Sequence, residues 1–375
     1  MTTFAALFVP DALREAVSDA AWLDAMLDAE RALANAAALA GALEAHEAAA
    51  VADACEPSLY DIDALAADGR AAANPVEPLV RALRERAPAA HRGATSQDIL
   101  DTAAMLVATR AVELIVDELA GACRACAVLA RSYRSTPIAA RTLLQQAVPT
   151  TFGYVAAQWL AGLRLAAVAL ARLELPAQLG GAAGTLAAFG EHGPAVKEQF
   201  ARELELFDPV LPWHADRAPV AALAALLDQA AQAAAKAALD VILLAQTEVG
   251  EVREGSGGSS STMPHKRNPA NAVRARACAR GVHAQAGLLT AIGDHELQRA
   301  AGAWQAEWNA LSEALALAGG AAAAIRECLE GLEVDVERMR ANMSAELYAE
   351  RDAFGLEGDY LGAAEAFVDA VLRDG

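Results

Sequence analysis

Apolar residues along this chain recur at helical spacing and almost nowhere alternate. From Asp11 to about Leu39, Leu13, Val17, Leu23, Leu27 and Leu33 fall largely on one helical face, and Gly41 closes the run. Between Ala52 and Arg92 the helical segments are shorter, broken by Pro57, Pro75, Pro78 and Pro88. Beyond Ser96 they lengthen. The pattern predicts helices over Asp98–Arg134, over Thr150–Leu175 with Pro176 as its stop, and over Val220 to about Glu251. A further helical stretch runs from Asn271 to about Leu317, with Gly281, Gly287, Gly293 and Gly302 as bends. A helix of some thirty residues is about 45 Å long and cannot bury an apolar face alone. The expectation is an all-α protein with a small N-terminal helical domain over residues 1–95, a long central bundle over 96–335 and a short C-terminal helical segment over 336–375. No alternating strand segment and no repeat of fixed period stands out.

Composition sharpens this picture. Of 375 residues 55% are hydrophobic but only 5% aromatic; alanine, the best helix former and a poor strand former, supplies the excess. A net charge of −19 excludes the basic footprint that nucleic acid or an anionic membrane requires. The five cysteines are spread through the chain and read as reduced thiols of a cytoplasmic protein, with Cys123 and Cys126 as packing residues. The N-terminus carries no basic region ahead of its apolar stretch, which argues against a secretory signal. The apolar window from Ala221 to Gly250 is interrupted by Asp228, Lys236 and Asp240, which argues against a membrane span. No metal-ligand spacing occurs: His46, His192 and His283 have no sequence partners.

Three polar interruptions break the helices: His91–Asp98, Gly180–Thr185 and Gly255–Pro269. The third is the most informative, because it holds Lys266, one of only three lysines, beside His265 and Arg267. A solvated linker in so acidic a chain has no need to gather cations. A P-loop is ruled out, since Lys266 is followed by Arg267 and no strand precedes it. Locally the segment reads as an anion-binding lid with a hydroxyl nucleophile or base.

Ser260 to Pro269 (SSTMPHKRNP) resembles the signature loop of the fumarase/aspartase superfamily. GATSQDILDTA (Gly93 to Ala103), RTLLQQAVPTTFG (Arg141 to Gly153) and LGGAAGT (Leu179 to Thr185) stand where that superfamily places its other motifs. Within it, LFVPDALREAVSD, LPWHADRAP and HELQRAAGAWQAEW look like the 3-carboxy-cis,cis-muconate cycloisomerases. The resemblance implies Ser260, with Ser261 and His265, as the proton-transfer group of a cofactor-free, metal-free reaction. It gives the substrate His91, Thr95, Ser96, Gln97, Arg141, Thr142, Gln145, Arg217, Lys266 and Asn268. It implies a small tricarboxylate substrate and a homotetramer whose sites are shared between subunits.

Two departures bear on the reaction. Lyases of the superfamily carry an Arg-Thr-His segment and a glutamate four residues beyond the Asn-Pro; here those positions are Leu143 and Val273. Losing both halves of one acid/base pair weakens cleavage of adenylosuccinate or argininosuccinate, where the departing amine needs a proton donor. It suits a cycloisomerase, whose nucleophile is the substrate's own tethered carboxylate. The sequence also ends before the full C-terminal domain that the resemblance implies. The rivals are a C–N lyase such as adenylosuccinate lyase, and a non-catalytic scaffold, against which the intact Ser260–Pro269 loop argues. Among other residues, His214 is expected either at the site wall or capping a helix. Glu296, Arg299 and Glu307 are expected as salt-bridged residues of one long helix, and Trp304 and Trp308 as core.

Overall fold

A computed structural model describes residues 3–255, 258–259, 262–263 and 266–374. Helices dominate it. The N-terminal part consists of α1 (Asp11–Ala16), α2 (Asp19–Leu39), α3 (Ala45–Ala54), α4 (Ile62–Asp68) and α5 (Val76–Arg86). The run expected as one helix from Asp11 breaks at Val17. Ser18 there takes an extended conformation and its Oγ accepts from the Ala21 N–H, so a local cap overrides an unbroken apolar periodicity.

The bundle follows: α6 (Ser96–Ser132), α7 (Phe152–Ala171), α8 (Gly193–Glu203), α9 (Ala218–Leu244), α10 (Ala270–Ala291) and α11 (Ala303–Glu330). Helix α6 is packed by α7 and α11, and α9 by α7, α10 and α11. Alanine makes this close approach possible. Ala231, Ala234 and Ala238 of α9 and Ala314, Ala318 and Ala321 of α11 are fully buried or nearly so. On α11 two glycines go further. A Cβ at Gly319 would lie 2.2 Å from the Leu13 side chain, and one at Gly320 would lie 2.6 Å from the Phe8 carbonyl. Only hydrogen at both positions lets the N-terminal segment lie against the helix.

Two expectations need correction. The stretch from Asn271 to Leu317 is two helices, parted by a loop from Ile292 to Gly302, where Gly302 takes φ +121°. Glu296 and Arg299 therefore sit on a loop, and only Trp304, Glu307 and Trp308 lie on α11. Strands also occur. β1 (Pro137–Thr142) and β2 (Gln145–Thr151) form an antiparallel hairpin closed by Leu143 and Leu144, both left-handed at φ +51° and +64°. Such a turn usually carries Asn-Gly, so two leucines gave no turn signal. Short strands β3 (Val252–Glu254), β4 (Gly258–Ser259), β5 (Arg267–Asn268) and β6 (Leu332–Val334) pair as β3 with β6 and β4 with β5.

The chain ends in α12 (Val336–Ala341), α13 (Ala349–Ala353) and α14 (Ala364–Arg373). α14 lies on α7, held by Arg134, whose guanidinium donates to both oxygens of Asp369 at 2.7 Å and to Glu365. α7 alone among the described helices is long and apolar enough to cross a membrane by length and composition. Here it packs between α6 and α9, and Trp159 Nε1 donates to Asp240 of α9 at 2.7 Å.

Candidate active site

Thr95 caps α6. Its hydroxyl accepts the Asp98 N–H while the Asp98 carboxylate accepts the Thr95 N–H at 2.9 Å, so Ser96 stands at the first turn, where free N–H groups and the helix dipole favour an anion. His91 lies just upstream at φ +60°, its Nδ1 2.6 Å from Oε1 of the fully buried Glu30. His91 and Ser96 share a cleft of 520 Å³ with Arg81 and Arg84. Gln97 turns inward: buried, it donates to Asp101 (3.1 Å) and to the His214 carbonyl (2.8 Å).

Arg217 turns inward more completely. The resemblance gives it to the substrate, but its guanidinium is 3% exposed and stacks on Trp213 at 4.6 Å. It bonds Asp101 at 2.8 and 3.0 Å, Glu307 at 2.9 and 2.6 Å, and the Trp213 carbonyl at 3.3 Å. An arginine has five N–H donors, and all five are engaged. Burial works against the cation, but Asp101 and Glu307 outweigh it and its pKa is raised. Burial pushes the Glu307 carboxyl up, and Arg217 opposes that shift. Trp304 Nε1 completes the cluster by donating to Asp101 at 2.9 Å. In this structure Arg217 fastens the bundle and has no donor left for a ligand.

The remaining site residues lie elsewhere. Arg141, at the end of β1, grips the fully buried Glu251 through two bonds of 2.9 and 2.8 Å, and Asn342 donates to the same carboxylate at 2.8 Å. Thr142 and Gln145 flank the exposed hairpin tip. Lys266 Nζ donates to Asn268 Oδ1 at 2.7 Å. Both line a cleft of 950 Å³ with Arg253, Glu254, Arg267 and Glu333. Buried Glu254 caps α10, accepting the N–H groups of Asn271 (3.0 Å) and Ala272 (2.8 Å). Ser260, Ser261 and His265 lie outside the described residues.

These residues form two groups, and α6 separates them. With 37 residues it spans roughly 55 Å at about 1.5 Å per residue. Thr95, Ser96 and Gln97 stand at its beginning; Arg141, Thr142 and Gln145 follow its end. α11 runs alongside in the same direction, since Trp304 meets Asp101 and Arg326 meets Glu118. Its far end carries the signature loop, because the Gly255 N–H donates to the Gly331 carbonyl at 2.8 Å. Lys266 and Asn268 therefore belong to the hairpin end and not to the Ser96 end.

The buried acids Glu30, Asp98, Asp101, Glu251 and Glu254 were not anticipated from the sequence. Asp98 and Asp101, like Glu251 and Glu254, stand three residues apart, a signal that could have marked them. The cysteines are inert by contrast: burial raises the pKa of both Cys123 and Cys126. Among the described residues no His, Cys, Asp and Glu cluster could hold a metal.

A bundle of long up-and-down helices with polar loops gathered at both ends is the architecture of an all-α lyase-type enzyme. The chain belongs to the family described as "Lyase", which matches residues 9–283. It is 47% identical to a nitrosuccinate lyase of Streptomyces davaonensis, over 94% of this chain and 79% of that one. It is 41% identical to a 3-carboxy-cis,cis-muconate cycloisomerase of Bradyrhizobium diazoefficiens, over 95% and 82%. Its structure matches the 3-carboxy-cis,cis-muconate lactonizing enzyme of Pseudomonas putida with a TM-score of 0.89 and 36% identity, covering 99% of this chain and 87% of that one. The all-α fold and the family expected from the motifs are thus borne out.

Proposed function

We propose that the protein adds or eliminates a weakly basic oxyanion at the carbon β to a substrate carboxylate, and that its reaction is the lactonisation of 3-carboxy-cis,cis-muconate. The observation that carries this reading is the pair Leu143 and Val273. Both side chains are exposed, at 97% and 53%, where lyases that expel an amine hold a histidine and its glutamate. An amine leaves only with a proton donor. A carboxylate needs none. In the forward direction it attacks the conjugated carbon already ionised and tethered, a proximity gain of up to about 7–11 kcal/mol. The developing enolate then needs cationic stabilisation, which Lys266 and neighbouring donors supply, and a proton at carbon, which Ser260 supplies from a closed, desolvated site.

One observation favours a second reading. The 47% identical relative is a nitrosuccinate lyase. Nitrite, like a carboxylate, is a weakly basic oxyanion that departs without protonation, so the same lost pair fits its elimination.

With the two groups of residues roughly a helix length apart, a complete site takes the Ser96 end from one copy and the Lys266 end from another. This supports a homo-oligomer, a tetramer on the resemblance. The test is incubation of the purified protein with 3-carboxymuconate, following loss of the diene absorbance, beside nitrosuccinate, following nitrite. Diene loss is expected. Nitrite release without diene loss replaces the first reading by the second. Fumarate release from adenylosuccinate, with neither of these, would overturn both.

A further inference from the structure

Asp98 is fully buried, yet among the described residues no lysine or arginine is seen to pair with it. Each of its two oxygens takes two donors. Oδ1 receives the Gly180 N–H at 2.8 Å and lies 2.7 Å from His214 Nε2. Oδ2 receives the Thr95 N–H and the Gly181 N–H, both at 2.9 Å. Four acceptor positions on a carboxylate are thereby filled, with none left for substrate. The four donors come from three separate loops: the one carrying Thr95 and Ser96, the glycine loop at Gly180, and the segment before α9.

The packing around this carboxylate allows little slack. A Cβ at Gly180 would lie 2.8 Å from both the His214 ring and Pro212, and one at Gly181, already at φ +70°, would lie 2.9 Å from the Gly93 carbonyl. The glycine loop can lie against the Thr95 loop only without side chains, and only while Asp98 draws both backbones onto one anion.

We infer that Asp98 is a positioning residue, fixing the loop of Thr95 and Ser96 against the glycine loop and so setting affinity for substrate; this rests on the substrate role proposed above for Thr95 and Ser96. Asp98→Asn keeps the shape but turns an amide NH₂ toward N–H donors. KM should rise about 10-fold to 100-fold while kcat falls less, in keeping with the cost of misplacing bound groups by about 1 Å. His214→Gln, which retains a donor, should stay within about threefold of wild type.

Amide hydrogen exchange supplies a readout independent of turnover. In Asp98→Asn the amides of Thr95, Gly180 and Gly181 should exchange at least about tenfold faster, with those of Ile115 in mid-α6 unchanged. Gly180→Ala leaves Asp98 intact and pushes the glycine loop off it, so it should raise KM alike and carries the test if Asp98→Asn fails to fold. Wild-type KM in the folded variants would overturn the inference, whether or not the amides exchange faster. A wild-type protein that turns over neither substrate would instead sink the functional reading. Exchange at the three amides would then still decide whether Asp98 fastens the loops.

Discussion

Arg217 and Asp101 meet inside the bundle through two parallel hydrogen bonds of 2.8 and 3.0 Å, with side chains 2% and 4% exposed. Glu307 takes the other edge of the same guanidinium. Removing the cation leaves two buried carboxylates facing each other. Arg217→Ala should therefore cost about 3–5 kcal/mol of stability, the range for breaking a buried pair from one side. Urea unfolding followed by circular dichroism checks this. A loss of binding with unchanged stability would return Arg217 to the substrate.

The hairpin tip can be tested by the turn it lacks. Leu143 and Leu144 hold left-handed backbone angles that cost a leucine roughly 1–2 kcal/mol each. Leu143→Asn with Leu144→Gly should relieve that strain and raise the melting temperature by a few degrees. On the proposed reading, in which Leu143 stands at the site in place of the lyase histidine, activity should nevertheless fall. Unaltered turnover in the double variant would show that the tip lies outside the site.

Acid should loosen the C-terminal helix before the bundle. Hydrogen bonding from Ser135, with Arg134, holds the Glu365 carboxyl below its ordinary 4.5, and hydrogen bonding from Arg134 holds Asp369 below its ordinary 3.8. Depressed carboxyls contribute stability that is complete above those ordinary values and is lost as pH falls through the lower folded ones. Proteolysis or exchange over Ala364–Arg373 should thus quicken below pH 3.8. Arg134→Gln should show the loosened behaviour already at neutral pH. Both groups are only half-buried, so salt should weaken the effect.

A site divided between copies predicts complementation. Ser96→Ala damages one end of each chain and Lys266→Ala the other. Each homomer should retain under about 1% of wild-type turnover, given what misplaced or missing transition-state contacts cost. Mixed assemblies formed by co-expression contain some sites with both ends intact and should recover activity that neither variant has alone. No recovery would place both ends of a working site on one chain.

The sequence and the structure part company at definite residues. α6 and α9 were legible because their interiors lack proline and, but for Gly121, glycine; the three loops were legible because polar and glycine-rich runs stand out in so much alanine. The break at Val17 was hidden because it needs only one serine cap. The Ile292–Gly302 loop was hidden because its glycines read as bends in one helix. The hairpin was hidden by its leucine turn. Arg217 read as a ligand residue because a motif records which residue is present, whereas Asp101 and Glu307, which consume its donors, lie 116 and 90 positions away along the chain.

The length of α6 has a further consequence. On the proposed sharing of sites, with one rod keeping the Ser96 end and the Lys266 end of each chain apart, an isolated protomer has two half-sites and no whole one. Specific activity then follows mass action in the protein itself, falling on dilution below the dissociation constant of the assembly and returning on concentration. How much enzyme a cell makes would set how well each molecule works, as well as how many there are.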